Sequence, residues 1–292
     1  MIRFASFNKI ARTGAFAAAL LCGAAMVPVL AADTPANRSA IPSFMSTNSG
    51  WQLNSGTNFL PPPAGQEPPV SFDPKHPYVG NNQGAQSTER VADLGNPNLL
   101  PWAVEEMRKH NDAVLKGKRS FVAQARCWPG NTPSQLLFPA EPVFFIQTPK
   151  EVWIVWQRDH HVRRVFLDRE HSNNPKPSWY GESVGHYENG DTLAIDTIGV
   201  IEHPFNFVDN FRTPHTKDLH VVERWTVMPD GKSLEASVTV EDPGTFNKPW
   251  SGKARWARVE RGPMIESVCA ENNANFFNLD EYPMPEAKTP DF

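Results

Sequence analysis

Apolar and polar residues alternate along the chain between residues 142 and 269, and turn residues separate the alternating runs. A period of two is typical of β-strands that bury one face, because successive side chains point to opposite sides. Helical patterns do not separate consecutive runs, which excludes a parallel α/β sheet. The pattern predicts an all-β fold, an antiparallel meander closed as a lipocalin-like barrel or folded as a sandwich. Strands are expected at 142–147, 151–157, 161–168, 181–187, 191–197, 218–228, 233–241, 253–260 and 264–269.

The dipeptide Asn189-Gly190 marks the first clear hairpin, since a type I′ turn needs positive φ at both central residues. A two-residue turn here would pair Glu188 with Asp191. Cross-strand partners share a face of the sheet. We therefore expect one polar face with Ser183, Tyr187, Thr192 and Asp196, and one apolar face with Val184, Leu193, Ile195 and His186.

A second hairpin turn, Asp230-Gly231, places Glu223 on an apolar face. That face carries Leu219, Val221, Trp225 and Val227 opposite Leu234, Ala236, Val238 and Val240. A carboxylate that faces a core is costly unless it is paired, hydrogen-bonded or protonated. Two interpretations of Glu223 stay open, a structural pair with an arginine and a catalytic or ligand-contacting acid.

The first 31 residues have the pattern of a secretory signal peptide. Arg3, Lys9 and Arg12 precede an apolar run, and the sequence before Ala31 fits a small-residue cleavage site. The apolar run is too short and interrupted for a membrane span. We expect a mature chain that begins near Ala32 and is periplasmic or secreted.

The mature chain divides by composition into two parts. Residues 32–97 are rich in Pro, Asn, Ser and Gly and predict an extended arm. Residues 98–292 predict a single β-barrel-like domain with a leading helix at about 101–116, because Pro101 suits a first turn and Gly117 suits a helix end.

Charge and cysteine content restrict the partners and the compartment. Removing the three positive charges of the signal takes the formal net charge from −4 to −7, and no basic run remains to bind nucleic acid. Cys127 and Cys269 are the two cysteines left in the mature chain. An even pair in an oxidising compartment predicts a disulfide between them. The sequence predicts no oligomeric state.

Eight runs of residues resemble a recurring order in a large group of exported bacterial proteins of unknown function. They are Arg126-Cys127-Trp128-Pro129-Gly130; Gln147-Thr148-Pro149; Arg163, Asp168 and His171; Pro177-Ser178-Trp179 with Gly181; Gly190-Asp191-Thr192-Leu193 with Asp196-Thr197; Leu219-His220-Val221-Val222-Glu223-Arg224; Asp242-Pro243; and Glu266 to Asn272. The group often has Glu where this chain has Gln157, and one residue fewer in the turn before Thr192. The resemblance implies export and a cysteine in each half, and it implies no particular reaction.

Signatures of nucleotide and metalloprotease sites are missing from the sequence, which has no GxGxxG after a strand, no P-loop and no HExxH. Ser183 lies in a GxSxG string, but in mid-strand instead of at a strand-to-helix elbow. His160, His161 and His171 with Asp168 would suit zinc or copper only if turns brought them together. We expect neither a tightly bound metal nor an organic cofactor.

The candidate site residues follow from an internal pocket in the predicted barrel. Trp153, Trp156 and Trp225 would line a pocket for a small apolar or aromatic molecule, and Arg163 would hold an anionic group. The candidate acid–base residues are Glu223, His186, His171, Tyr187 and Asp196. These groups predict a cofactor-independent lyase, hydratase, isomerase or hydrolase. A non-catalytic ligand carrier or sensor and an envelope interaction module are the alternatives.

Overall fold

The computed structural model describes residues 43–44, 49–76, 90–118, 128–138, 141–158 and 161–268, all within one compact unit that spans 39–292. Within these ranges the chain forms one α-helix, one short 3₁₀ turn and nine strands. They are α1 (Pro101–Leu115), the turn Ser134–Leu137, β1 (Ser49–Leu53), β2 (Val143–Gln147), β3 (Glu151–Trp156), β4 (His161–Leu167), β5 (Glu182–Glu188), β6 (Thr192–Ile198), β7 (His220–Val227), β8 (Ser233–Glu241) and β9 (Trp250–Glu260).

The nine strands close into a barrel in chain order, with β9 paired to β1. This confirms the prediction of an all-β barrel with one leading helix. One pair differs from the expected meander, because β4 and β5 run parallel, with Val165 opposite Ser183. A parallel pair needs a connection of about a dozen residues or more, and residues 168–181 provide it. The strand predicted at 264–269 is wrong over 264–268, where the chain forms no strand.

Strand β1 lies in the region that the composition assigned to an extended arm. It pairs with β9 over five residues and with β2 at Trp51, opposite Val143. Trp51 is 1% exposed and donates from Nε1 to the carbonyl of Phe44 at 3.1 Å. Part of the arm is therefore a wall of the barrel, and its tryptophan belongs to the core.

Aromatic side chains fill the centre of the barrel. The rings of Trp225 and Trp256 stack with centroids 4.7 Å apart, and Phe145 meets Trp225 edge-on at 5.4 Å. Stacked and edge-on aromatic pairs each contribute about 0.5–1.5 kcal/mol beyond the burial of their area. The predicted apolar face of β7 and β8 is confirmed, with Trp225 opposite Ala236 and Glu223 opposite Val238.

Helix α1 packs outside the barrel, as its apolar spacing predicts. Ala103, Met107 and His110 are buried, and the Asn111 side chain exchanges two hydrogen bonds with the backbone of Ala92, at 2.8 and 2.9 Å. Burial, with a smaller contribution from nearby Arg212, lowers the pKa of His110 to about 3. His110 is thus a neutral core residue.

Gly181, the residue before β5, packs closely against the end of β6, and a substitution can test this close approach. Its φ is +68°, and an added Cβ would lie 2.5 Å from the carbonyl oxygen of Ile198. Gly231 has φ +63° with open space around it. We expect Gly231→Ala to cost about 1–2 kcal/mol of stability for the left-handed backbone alone. Gly181→Ala should cost about 1–3 kcal/mol more, from overpacking. Urea unfolding of both variants measures the difference, and equal losses would contradict the close approach.

Several predictions concern residues outside the described ranges. These are the signal peptide at 1–31, the Cys127–Cys269 disulfide and the position of His160, and they stay predictions. In the described ranges, α1 is the longest helix, and none is long and apolar enough to cross a membrane.

Candidate functional site

The register of the β5–β6 hairpin decides which polar side chains meet on the outside of the barrel. Glu188 pairs with Thr192, so residues 189–191 form a three-residue loop. The expected two-residue turn is wrong by one residue, and such a shift moves the side chains of one strand to the opposite face. Asp196 therefore shares the outer face with His186, and His186 is not the core residue that the sequence predicted.

One end of the barrel collects a group of imidazoles and carboxylates on its outer surface. Strand β5 begins at Glu182, β7 begins at His220 and β8 ends at Glu241, which brings these three residues to the same end of the antiparallel strands. Asp196 lies two residues before the end of β6, and His171 comes from the connection between β4 and β5. We call these five residues the histidine–carboxylate cluster.

Asp196 lies between two imidazoles in this cluster. Its Oδ1 is 2.9 Å from Nε2 of His171 and 3.0 Å from Nε2 of His220. The other nitrogen of each ring faces a further carboxylate, at 3.1 Å from Glu182 to His171 and at 3.7 Å from Glu241 to His220. Acids and imidazoles thus alternate along a chain of contacts that crosses four strands.

The cluster is partly exposed to solvent, and Glu182, at one end of it, is held in place by its neighbours. The side chain of Asp196 is 41% exposed, whereas Glu182 is 16% exposed. Glu182 accepts a hydrogen bond from the backbone N–H of Ser172 at 2.7 Å and pairs with Arg169 at 3.2 Å. Burial acts to raise the pKa of Glu182, but its hydrogen bonds with Ser172 and His171 leave that pKa below its usual value.

His171 lies between two carboxylates. Both of its ring nitrogens contact carboxylate oxygens, and an imidazole donates from both nitrogens only when it carries two protons. Burial acts to raise the pKa of Asp196, but the bonds to His220 and His171 lower it overall, and Glu182 is lowered too. A His171 ring that carries both protons can therefore donate to Asp196 and to Glu182 at the same time.

His220 and Asp196 form a pair whose stabilisation depends on pH. The hydrogen bond that His220 donates to the Asp196 carboxylate raises the pKa of His220 against the opposing effect of burial. A histidine whose pKa is raised in the folded protein stabilises the fold below its unfolded pKa, 6.5. It loses that contribution as the pH rises through its folded pKa. Asp196, whose pKa is lowered in the folded protein, stabilises the fold above its unfolded pKa, 3.8. It loses that contribution as the pH falls through its folded pKa. The pair therefore stabilises most between about pH 4 and 6.5.

We expect His220→Gln to be most destabilising in that window and to approach the parent protein at high pH. The difference should stay below about 1 kcal/mol, because both groups are partly exposed and screened by solvent. Urea midpoints at pH 5, 7.5 and 9 test this, with Asp196→Asn as a matched variant that removes the other partner. A constant difference from pH 5 to 9 would argue against the pair.

A second polar group lies inside the barrel. Arg163 is 1% exposed and Glu223 is 0% exposed, and both guanidinium NH groups of Arg163 contact the Glu223 carboxylate, one of them at 3.1 Å to Oε1. The Arg163 side chain also donates to Ser183 at 3.0 Å and to Thr197 at 2.8 Å. Trp225 Nε1 lies 3.3 Å from Glu223. The predicted inward direction of Glu223 is confirmed, and the partner is an arginine.

The other predicted site residues are spread over the barrel. His186 is 60% exposed and contacts Glu188, and Trp153 is on the outer surface under the guanidinium of Arg164. Trp156 stacks on Tyr180, and Tyr187 accepts a hydrogen bond from Gln147 at 3.0 Å inside the barrel wall. Burial raises the pKa of Tyr187. The prediction of a pocket lined by Trp153, Trp156 and Trp225 is therefore wrong. Trp153 faces out, and Trp156 and Trp225 are packed against other rings.

Sequence reasoning found His171 and Asp196 but missed three members of the cluster. Glu182 and His220 are outward residues of strands whose apolar faces are clear from alternation. The alternation of inward and outward residues, with the predicted register, would have placed His220 and Glu241 side by side across β7 and β8, as the structure has them. The useful signal was therefore polar residues at the outer positions of successive strand ends.

The polar residues that could bind a metal are engaged with each other. His171 contacts Asp196, so it does not converge with Asp168 as one interpretation of the sequence required. As the side chains stand, the described ranges contain no group of three or more His, Cys, Asp or Glu side chains arranged to hold a metal ion.

Comparisons of the chain with protein-family models, with curated proteins and with solved structures found no match. A functional assignment therefore depends on the geometry of the two polar groups.

Proposed function

We propose that this chain is an exported, cofactor-independent acid–base enzyme that acts on a small apolar or aromatic compound at the histidine–carboxylate cluster. The observation that carries the proposal is Asp196, which bridges two imidazole Nε2 atoms at 2.9 and 3.0 Å at a solvent-accessible site. Histidine is the side chain best suited to donate and accept protons near neutral pH. Two imidazoles that share one carboxylate can exchange roles as acid and base.

The roles follow from the contacts. A doubly protonated His171, held between Glu182 and Asp196, is placed to donate a proton to a leaving group or to a developing oxyanion. His220 is placed to accept a proton, because Asp196 stabilises its charged form. Such a pair suits lyases, hydratases, isomerases and hydrolases, in which one proton is removed and another is delivered.

Aromatic rings at the same end of the barrel support the proposed substrate class. Trp179 precedes β5 by three residues, and His203 follows β6 by five. The rings of Trp128 and Trp179 lie 5.2 and 5.3 Å from that of His203, and all three are partly exposed. A half-buried aromatic group at the same end of the barrel as the acid–base residues favours a small apolar or aromatic substrate.

The packing of the barrel interior favours the enzyme over a lipocalin-like carrier. A carrier of that kind holds its ligand in the lumen. Most inward side chains of the described strands are buried, Trp51, Trp225 and Trp256 are each at most 3% exposed, and Trp225 stacks on Trp256. The site on the outer surface does not require a lumen.

An envelope interaction module remains a second candidate, since one observation favours it. Ile146, Trp153 and Val162 are apolar residues on the neighbouring strands β2, β3 and β4, and each is more than a third exposed. Exposed apolar residues that lie side by side are typical of contact surfaces between proteins. A carboxylate–imidazole relay has no role in such a surface.

A ligand screen tests the proposed function. Small aromatic and terpenoid-like compounds that quench tryptophan fluorescence would be incubated with the protein at pH 6–8, and the products analysed by mass spectrometry. Conversion of a compound that binds would support the enzyme. Binding without conversion across the panel would favour a carrier, and an absence of binding would favour the interaction module.

A further inference from the structure

We propose that Trp128, Trp179 and His203 form a subsite that binds the aromatic ring of a small, neutral carbonyl compound. The two indoles pack against the ring of the ligand, and the Nε2–H group of His203 donates a hydrogen bond to its carbonyl oxygen. The inference deepens the proposed function, because it names what is recognised next to the histidine–carboxylate cluster. It rests on that function only for the fate of the ligand, since binding is measured separately.

Four aromatic rings pack together at this place, and one of them forms a buried base. Phe205 is 4% exposed, and its ring centroid lies 6.3 Å from that of Trp128 and 6.2 Å from that of His203. Trp179 packs against both of these rings, and its plane is inclined by 51° to Trp128 and by 53° to His203. Trp128, Trp179 and His203 are partly exposed. Inclined rings present both faces and edges, and each can bind a further aromatic ring.

The spacing of the rings decides where a ligand can bind. The centroids of Trp128, Trp179 and His203 are 5.2, 5.3 and 5.8 Å apart in pairs. Rings at this distance contact each other, so they leave no room for a ligand between them and form no cage around an ammonium ion. A ligand therefore packs against the exposed side of the group, which suits a small and only partly enclosed molecule.

A backbone contact fixes which nitrogen of His203 carries the proton. Nδ1 lies 3.2 Å from the backbone nitrogen of Phe205, and an amide N–H can only donate, so Nδ1 is the acceptor. The proton of the neutral ring is then on Nε2, for which the described residues supply no hydrogen-bond acceptor. Burial lowers the pKa of His203, which keeps the ring neutral. His203 thus offers a single N–H donor within an aromatic surface.

This donor selects a neutral acceptor. A carbonyl oxygen can accept a hydrogen bond from Nε2–H without bringing a charge to the aromatic surface. A carboxylate would find no opposite charge on His203, and the exposed Glu202 next to it in sequence would repel an anion. Lys217, whose charge is influenced by Glu202, has a side chain that is 81% exposed to solvent. An aryl ketone, aldehyde, ester or amide combines the required ring with the required acceptor.

The subsite adjoins the acid–base residues along the chain. The backbone nitrogen of Gly181 donates to the carbonyl of Ser178 at 3.2 Å and closes a turn around Trp179, and Glu182 follows this turn directly. Three residues of chain span at most about 11 Å, so Trp179 and Glu182 are no further apart than that. Glu182 in turn contacts His171 at 3.1 Å. A molecule held by its ring at the subsite is therefore close to the residues proposed to move protons.

Ligand-observed NMR titrations of the full chain test the inference. The probes are acetophenone, toluene as a ring without an acceptor, and benzoate as an anion, and we expect acetophenone to bind more tightly than benzoate. His203→Phe keeps a ring but removes the donor. It should weaken acetophenone binding about 3–10-fold, the usual effect of one hydrogen bond, and leave toluene binding unchanged. Trp179→Leu should weaken the binding of both compounds about 3–10-fold, because it removes an aromatic contact.

Trp153→Leu is the matched control, because it removes a tryptophan that is 37% exposed on the outer face of β3. It should leave both affinities unchanged, and melting curves confirm that every variant is folded. Unchanged acetophenone affinity in either His203→Phe or Trp179→Leu, or tighter binding of benzoate than of acetophenone, would overturn the inference.

The same variants separate this inference from the proposed function. If acetophenone binding depends on His203 and Trp179 but no compound is converted, the subsite stands and the proposed function falls. If a compound is converted and both variants convert it with the kcat/KM of the parent, the proposed function stands and the subsite falls.

Discussion

Replacement of Glu223 by glutamine is expected to lower the free energy of unfolding by about 3–5 kcal/mol. The variant keeps the shape of the side chain but removes the charge that Arg163 needs, and Arg163 is 1% exposed in the barrel. A buried charge without its partner is much more costly than the pair. Chemical denaturation at pH 7 measures the loss. A normal melting curve with lost turnover would instead indicate a catalytic role for Glu223.

Glu188→Gln is the control on the outer face of the same barrel. Glu188 contacts Arg224, the neighbour of Glu223 in sequence, at 3.1 Å with the arginine 48% exposed. An exposed pair of this kind contributes about 0–1 kcal/mol. Arg163→Met with Glu223→Leu provides a second check, because apolar replacement of both partners is often neutral. The double variant should be more stable than Glu223→Gln, and the reverse order would mean that the pair itself stabilises the barrel.

Replacement of Asp196 by asparagine is expected to lower turnover by about 10²–10⁴-fold, the usual contribution of a positioned acid or base. The amide removes the negative charge shared by His171 and His220, and its NH₂ group cannot accept a hydrogen bond from a protonated Nε2. The melting temperature should change little, since the side chain is on the surface. The initial rate with a converted compound from the ligand screen, against pH, is the measurement.

Glu188→Gln again serves as the matched control, because Glu188 contacts the exposed His186 at 3.1 Å on the same sheet. Its turnover should equal that of the parent. Equal rates for Asp196→Asn and the parent would remove the cluster from catalysis. A similar loss in both variants would show a general effect of surface charge on the barrel instead of a local acid–base role.

The two hairpins show what the sequence could and could not determine. At Asp230-Gly231 the predicted register is correct, and every inward residue of β7 and β8 follows from it. At Asn189-Gly190 the loop contains a third residue, and the error exchanged the faces of one strand. Both dipeptides are strong turn signals, but the length of a loop depends on the twist and pairing of the strands around it, which a dipeptide does not encode.

Long-range contacts explain the remaining differences. Arg163 and Glu223 are 60 residues apart in sequence. The alternation of residues along β7 predicted only that Glu223 faces the core and needs a partner there. His171 lies in an irregular connection, so no periodic pattern could direct it to Asp196. Strand β1 has five residues in a proline-rich region, and only its pairing with β9 makes it part of the barrel. Short elements of this kind are determined by the tertiary context.

The pairing of β1 with β9 also has consequences for how the chain folds. Residues near Trp51 leave the ribosome before all the strands that separate them from their partners near Arg258, so the seam cannot close until those strands are available. Contacts between distant parts of a chain form slowly, and open strand edges aggregate meanwhile. If the chain is exported as expected and crosses the membrane before this seam closes, it would complete its barrel only on the far side.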